Sequence, residues 1–414
     1  MAEDQIRLRV ESELANVSPS FWNACAGASS DTTSETPVKP LTGQGSSSRK
    51  APPNPFVSHE FLSALEASGC VTQATGWLPQ HLLLEGSDGT LIGACPAYLK
   101  SHSRGEYVFD EGWADAYERA GGEYYPKLQV SIPFTPVTGP KLLLQPDADS
   151  AAGRAALVQG LTTLAEMRKA SSVHATFLTL EDAAAYEDQG FLPRTDQQFH
   201  WRNEGYASFE AFLGELASRK RKAIRKERTE ALAEGISIHW LTGSDLTEEV
   251  WDAFFGFYIE TGSRKWGRPY LNRKFYSLIG ESMPDRILLV MAKRAGRWIA
   301  GAINFIGEDT LYGRHWGAIE HHPFLHFEVC YHQAIEYAIA NKLRIVEAGA
   351  QGEHKLARGY MPVMTRSAHY IVDPEFRAAI AHYLDRERRY VEEAGEELAQ
   401  LGPYRRTESG PQEP

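Results

Sequence analysis

Hydrophobic and polar positions along this chain switch between two periods. Runs with every second residue apolar read as half-buried strands, and runs with a 3.6-residue period read as amphipathic helices. Gln5–Glu11 alternates Ile6, Leu8 and Val10 with polar residues and predicts a short strand; Ser18-Pro-Ser-Phe-Trp opens a helix, giving an N-terminal piece at 1–26. Positions 27–53 lose both periods. They are rich in Ser, Thr, Gly and Pro, bury too little apolar surface to offset their ordering entropy, and read as a flexible linker. From Asn54 the periods return. They predict a helix at Ser58–Ser68 capped by Ser58, and strands at His81–Glu85 and Thr90–Lys100 around the turn Ser87-Asp-Gly. A strand at Glu106–Phe109 and a helix at Trp113–Ala120 follow. Tyr124–Leu128 and Pro133–Pro140 read as irregular, stiffened by aromatic residues and proline. Next come a helix at Ala151–Ala170, a buried strand at Val173–Leu180, a short helix at Glu181–Asp188 and a strand at Gln197–Arg202.

Beyond Ser208 the pattern predicts one long helix at Glu210–Ala233, a strand at Ile236–Trp240, helices at Leu246–Thr261 and Asn272–Glu281, and a hairpin of Arg286–Lys293 with Trp298–Ile306. The stretch 310–362 then concentrates the polar groups suited to chemistry. It reads as a strand at Thr310–Trp316, a loop at Glu320–His326, a helix at Phe327–Lys342, a strand at Leu343–Gly349 and a loop to Tyr360. A strand at Arg366–Val372 and an amphipathic helix at Pro374–Leu401 precede a polar tail at 402–414.

Much of this order occurs twice. Gly190-Phe-Leu-Pro193 aligns with Gly359-Tyr-Met-Pro362, and His200-Trp201 aligns with His369-Tyr370 at the same spacing. Each copy runs through antiparallel strands, a helix, a buried strand, an aromatic-proline turn and a last strand, which marks an internal duplication. The repeated unit implies an α/β fold with a mixed sheet and a splayed junction where a ligand enters. That element order resembles the GNAT acyltransferase fold. The copies are placed at 54–204 and 205–401.

Length and composition agree with two ordinary cores: 414 residues, 43% hydrophobic and 23% charged. A net charge of -11 excludes a general nucleic-acid coat protein. Cys25, Cys70, Cys95 and Cys330 are far apart and form no CxxC pair, which suits a reducing compartment. There is no run of the ~18–20 apolar residues that a membrane helix needs, and Met1-Ala-Glu-Asp does not open a signal peptide. The expected location is the cytoplasm.

The chain resembles the FemAB-like branch of the GNAT superfamily, the peptidoglycan biosynthesis/recognition proteins or predicted N-acyltransferases. The resemblance covers about Asn54 to Leu401. It is carried by Pro96-Ala-Tyr-Leu-Lys-Ser-His-Ser103, Gly105-Glu-Tyr-Val-Phe-Asp110, Tyr124-Tyr-Pro-Lys127, Pro133-Phe-Thr-Pro-Val-Thr-Gly139, Arg314-His-Trp316 and Gly349-Ala-Gln-Gly-Glu-His-Lys355 with Arg358-Gly359. It implies two tandem GNAT-like domains and transfer of an acyl or aminoacyl group to an amine. It also implies that Lys355, ahead of Gly359-Tyr360, faces the donor carbonyl or a substrate phosphate. The Gly-rich loop with which acetyl-CoA-dependent members hold pyrophosphate is absent before Phe327–Lys342, where His321-His-Pro-Phe-Leu-His326 stands instead.

The candidate chemistry follows from residue type. His315, Glu353 and His354 are candidate acid–base groups, because acyl transfer to an amine requires removal of a proton from the nucleophile. Lys355 and Arg358 are suited to stabilising an oxyanion or holding phosphate. Arg314, Trp316, Glu328 and Gln351 are placed as substrate contacts beside them. In the first copy Lys100, His102, Asp110, Tyr125 and Lys127 are expected to form the acceptor side. Arg221, Lys222, Arg225 and Lys226, in the basic run Arg219–Arg228, are an expected anion-binding arm. No metal is assigned: His322 and His326 stand four apart, but HExxH is missing. No permanently bound cofactor is expected. The expected donor is acyl-CoA as co-substrate or a similar activated acyl group, and the acceptor is a small amine. The alternatives are an aminoacyl-tRNA-dependent Fem-type aminoacyltransferase acting on a cell-wall precursor, with tRNA on the basic helix, and a non-catalytic precursor-binding protein.

Overall fold

The computed structural model of the protein describes residues 6–27, 53–265, 269–349 and 353–405, with the backbone alone at 263–265 and 353. The predicted linker at 27–53 lies almost wholly outside the described residues. The chain divides into two compact units. The first takes Met1–Pro133, Thr138–Pro193 and Ser367–Ala378; the second takes Phe134–Val137, Arg194–Arg366 and Ala379–Pro414. They are therefore not the contiguous halves 54–204 and 205–401.

In the first unit, Arg7–Glu11, His81–Glu85, Leu91–Cys95 and Leu143–Leu144 form an antiparallel sheet. A second sheet runs through Trp77–Pro79, Ala97–Lys100, Lys127–Val130, Ser172–Thr176 and Ser367–Ile371, with one parallel pair, Lys127–Val130 beside Ser172–Thr176. A parallel pair needs a crossover, and the helix Ser150–Met167 supplies it. Its Leu157, Val158, Leu161 and Leu164 pack with Leu128 and Val173. Three expectations change here. Pro96, with no N–H to give a ladder, splits the predicted strand Thr90–Lys100 between the two sheets. Glu106–Phe109 is bent, irregular chain and not a strand, and Glu106 is drawn inward to a buried lysine. Lys127–Val130, read as irregular because of Pro126, is a central strand starting just after that proline.

In the second unit, Ser237–Leu241, Ile287–Arg294, Arg297–Ile306 and Thr310–Ala318 pair antiparallel in succession. Thr310–Tyr312 then pairs parallel with Ile345–Glu347, which pairs antiparallel with His200–Arg202. The crossover helix is Leu325–Phe327, a π-helical turn Glu328–His332, and Gln333–Ala340. Val329, Ala334, Ile335 and Ala338 bury it against Val290, Leu311 and Val346. The predicted long helix at Glu210–Ala233 is two, Phe209–Glu215 and Ser218–Ala231. Leu216 between them is extended (φ -83°, ψ 152°) because its backbone bridges to Tyr404.

Both units thus repeat one plan: antiparallel strands, a helical crossover, one parallel strand, and an antiparallel last strand that comes from the other copy. Leu192–Arg202 belongs to the second unit from Arg194 onward, and Met361–Ile371 belongs to the first from Ser367 onward. His200 faces Glu347 and His369 faces His174, so the two histidines aligned by the repeat take equivalent places. Among the described residues no helix is long and apolar enough to cross a membrane.

Candidate active site

The parallel pairing of the second unit ends at Tyr312 and Glu347. Past it, Ile303 pairs with His315 and Asn304 with Gly313, which leaves Arg314 as an extra residue. Such a bulge bends a strand and re-aims its side chains. The strand is also pressed from one side. A Cβ on Gly317 would stand 2.1 Å from the carbonyl oxygen of Phe257, so glycine is what lets the helix Glu248–Lys265 lie on it. Arg314 donates to the Phe134 carbonyl (2.8 Å). His315 packs edge-on to Tyr258, ring centres 5.0 Å apart, and burial together with the Arg314 charge pushes its pKa down to about 3. His315 is therefore a neutral imidazole and a weak base. Trp316 packs against the His326 ring at 5.1 Å.

At the end of the parallel partner, the turn Glu353–Arg358 carries the other expected groups. Gln351 and the side chain of Glu353 lie outside the described residues. His354 is exposed and shares a 2.9 Å hydrogen bond with the Tyr331 hydroxyl. Lys355 is only 2% exposed, and its Nζ donates to the Gly349 carbonyl (2.7 Å). Burial pushes its pKa down to about 7; the Cys330 thiol opposes that shift and the Arg314 charge adds to it. Arg358 is already engaged. It donates to the His354 carbonyl (2.7 Å) and to Glu227 (2.7 Å), and its guanidinium lies 3.5 Å from the centre of the Phe327 ring. It braces the turn and has little capacity left for substrate.

The π-helical turn explains what the sequence pattern missed. Its wider spacing is a feature often found at functional sites. It brings Tyr331 to His354, and His332 to 3.6 Å from Glu227. Glu328, expected to contact substrate, is instead fully buried and held by Arg228 at 2.9 and 3.0 Å and by Gln333 at 2.7 Å. That clamp fastens the basic helix Ser218–Ala231 to the crossover. Glu227 and Arg228 stand in a charge run, where nothing in the sequence separates a paired residue from a solvated one.

The crossover begins at Phe324, in the left-handed region (φ 60°). Trp316, His321, His322, Phe324, His326 and Phe327 surround a cavity of about 490 Å³. The Leu325 N–H is already given to the His322 carbonyl (3.3 Å). A pyrophosphate needs bare backbone N–H groups at a helix start, and this start is crowded with large rings and partly spent. The residues here do not fit CoA in that pose.

The five residues expected in the first copy do converge, in the first unit, but chiefly on one another. Lys127 is fully buried and donates to Ser103 (2.9 Å), Glu106 (2.7 Å) and Asp110 (2.5 Å). Lys100, also fully buried, lies 3.4 Å from the Trp77 ring centre, 3.5 Å from Glu106 and 3.4 Å from His102. Tyr124 donates to Asp110 (2.7 Å) and meets His174 (3.2 Å), which meets His369 (2.7 Å). Tyr125 reaches Ser103 (2.8 Å). Lys100, Asp110 and Lys127 are interior groups paired chiefly with interior partners, with Asp110 Oδ1 buried and unbonded, so they are not an open acceptor surface; His102 and Tyr125 are half-buried at its edge. Ser103, Glu106, Tyr124, His174 and His369 complete this network and were not foreseen. Two of them, Ser103 and Glu106, lie in the segment between Lys100 and Asp110.

On the basic helix, Arg225 pairs with Glu210 (2.6 Å) and Lys226 with Glu230 (3.5 Å), while Arg221 reaches the Gly214 carbonyl (3.4 Å). Lys222 is exposed, as are Arg219 and Lys220.

An antiparallel sheet led by a helical crossover into one parallel strand, built twice, defines a tandem GNAT-like protein. The profile of the FemAB-like family, described as peptidoglycan biosynthesis/recognition, matches residues 13–406, and the chain belongs to that family. No curated protein matches it. Among solved structures it is similar to FemX, at 11% identity over 78% of this chain and 93% of that one, with a TM-score of 0.48. It is similar to L-PGS from Bacillus licheniformis at 11% identity over 80% and 97% of the two chains (TM-score 0.48). A tandem GNAT protein from the clavulanic acid biosynthesis pathway is similar at 13% identity over 89% and 99% (TM-score 0.44).

Proposed function

We propose that the protein is an N-acyltransferase that moves an acyl group from an activated ester or thioester to an amine, with the family description pointing to a cell-wall precursor as acceptor. The observation that carries this reading is the placement of Lys355. A buried lysine sits at the end of the strand pair where parallel pairing stops, its Nζ on the Gly349 carbonyl, beside a bulge that carries Arg314. The amine nitrogen attacks the carbonyl carbon, the C–N bond forms, and the bond to the leaving oxygen or sulfur breaks. The proton released by the amine passes to neutral Lys355, which returns it to the leaving group. Arg314 supplies positive charge toward the developing oxyanion. His315 packs the site and takes no proton at neutral pH.

The donor divides the reading in two. Acyl-CoA remains a candidate in a pose that does not use the helix start. Aminoacyl-tRNA is favoured by the exposed Arg219, Lys220 and Lys222. Native mass spectrometry of freshly purified protein, followed by turnover of the co-purified donor, tests both. Turnover with acyl-CoA alone excludes the tRNA reading, and RNase-sensitive activity excludes the CoA reading. If no donor is ever consumed, the protein is a binding protein.

A further inference from the structure

Another cavity, of about 530 Å³, opens in the second unit, and His200, Arg202, Glu204, Tyr206, Glu215 and Tyr404 give it its chemistry. The C-terminal segment builds one wall. Leu216 and Tyr404 form an antiparallel bridge, the Ala217 N–H donates to the Pro403 carbonyl (2.8 Å), and the Arg405 N–H donates to the Glu215 carbonyl (2.9 Å). These bonds hold the Tyr404 ring at the cavity while its hydroxyl donates to the Gly359 carbonyl (2.9 Å), just past the turn that carries Lys355. Tyr206 supplies the second ring. Its N–H is held by Asn203 (3.0 Å), and it packs on Trp201 and Phe212 at 5.9 and 5.5 Å. Burial raises the pKa of both phenols, the Glu204 charge raises both further, and Glu204 lines the same cavity as the two rings.

The charges around the cavity are uncommitted. Among the described residues Arg202, Glu204 and Glu215 enter no ion pair, and all three are exposed. Two carboxylates and two phenol rings against one guanidinium favour a cation, with one point for an anion beside it. The floor leads to the proposed chemistry. His200 is 8% exposed, and its Nε2 lies 3.8 Å from Glu347 at the end of the parallel strand, two residues before the Gly349 whose carbonyl holds Lys355.

We propose that this cavity binds a small amine of the amino-acid class, its ammonium between Glu204, Glu215 and the two tyrosines and its acid group on Arg202. The proposal rests on the acyltransferase reading in one respect: the group held here is the amino-acid portion of the acceptor.

Isothermal titration of the full chain with L-alanine, ethylamine and propionate tests it. L-alanine is expected to bind most tightly, ethylamine more weakly, and propionate not at all. Glu215→Gln is expected to weaken both amines about tenfold or more, as loss of a charge-assisted bond does. Arg202→Gln is expected to bring L-alanine down to the level of ethylamine and leave ethylamine unchanged. Propionate binding as tightly as L-alanine, no saturable binding by any of the three, or affinities indifferent to Glu204→Gln with Glu215→Gln would overturn the proposal. The two readings fail separately. L-alanine binding that persists when no donor is consumed leaves the cavity and removes the transferase. Transfer whose KM for the amine ignores both Glu→Gln changes does the reverse.

Discussion

At the scale of residues, the burial of lysine decides most of what can be tested. Lys355 has a pKa of about 7, so it is mostly ammonium below that pH and mostly amine above it. If it takes the proton from the acceptor, the transfer rate rises as pH increases through about 7 and then levels off. Lys355→Met should lower kcat by about 10²–10⁴-fold, the usual worth of a positioned base. Lys355→Arg should be as damaging, because guanidinium keeps the charge and cannot accept the proton. An arginine variant that keeps much of the rate, with a wild-type profile falling above pH 7, would assign Lys355 to holding charge instead. The interior lysines of the first unit make a stability prediction. Removing the Lys127 charge takes from the buried Glu106 and Asp110 the ammonium they share, so Lys127→Met should cost about 3–5 kcal/mol in urea unfolding, the cost of breaking a buried pair from one side. Lys100, pushed down to about 7 mainly by burial, is neutral above that pH when folded and stays protonated up to about 10.5 when unfolded. The unfolded chain then binds more protons, so stability should climb between pH 7 and 10, and Lys100→Met should flatten the climb. Asp110 acts at the other end. Burial would raise its pKa, but Lys127 and His174 hold it low, and the stability it contributes is lost on acidification below about pH 4.

At the scale of elements, the exchanged last strands matter most. The first unit takes Ser367–Ile371 beside Ser172–Thr176, and the second takes His200–Arg202 beside Ile345–Glu347. A chain cut at 204/205 therefore gives fragments that each lack a sheet strand and carry one that belongs elsewhere. Neither 54–204 nor 205–401 alone should melt cooperatively by circular dichroism, whereas the two co-expressed should associate and recover a cooperative transition. Independent folding of either fragment would show the exchange to be dispensable. This is also where the sequence stopped being legible. The repeat aligned His200 with His369 correctly, because the element order and spacing survive duplication. It did not say which copy each last strand joins, since a strand of alternating apolar residues fits either sheet equally well. Helices and strands with clean periods were readable, as at Ser150–Met167 and Ile287–Arg294. The break at Leu216 was not, since its cause is a backbone bridge to Tyr404 far along the chain. Nor was the π-helical turn, which has the same residues as an α-helix and differs only in which carbonyls they reach. The loop clusters Lys100–Lys127 and Arg314–Arg358 were found because charged residues beside glycine and proline stand out. Whether they face solvent or one another depends on partners such as Glu106, Tyr124, Glu227 and Arg228, which no local spacing reveals.

At the scale of the whole molecule, a net charge of -11 sets the problem that any polyanionic donor must meet. An acidic protein repels nucleic acid except where cations are concentrated, so tRNA would have to be gripped by a local patch and released by modest salt. The basic helix is such a patch, but not all of it is free: Arg228 is spent on Glu328 and Glu336, and Arg225 and Lys226 have acidic neighbours. Arg219, Lys220 and Lys222 remain exposed. Binding through them would release about one counterion per phosphate neutralised, each adding about 0.7–0.9 to the slope of log affinity against log salt. The variant Arg219→Gln/Lys220→Gln/Lys222→Gln should therefore lower that slope for tRNA by about 2–3 and weaken binding at every sequence alike. Filter binding across a salt series measures both quantities. The same variant should leave the L-alanine affinity of the Glu204–Glu215 cavity intact, because those cations do not line it. A slope that does not change would place any nucleic-acid contact elsewhere and leave the helix as a brace, its Arg228 fixing the crossover through Glu328.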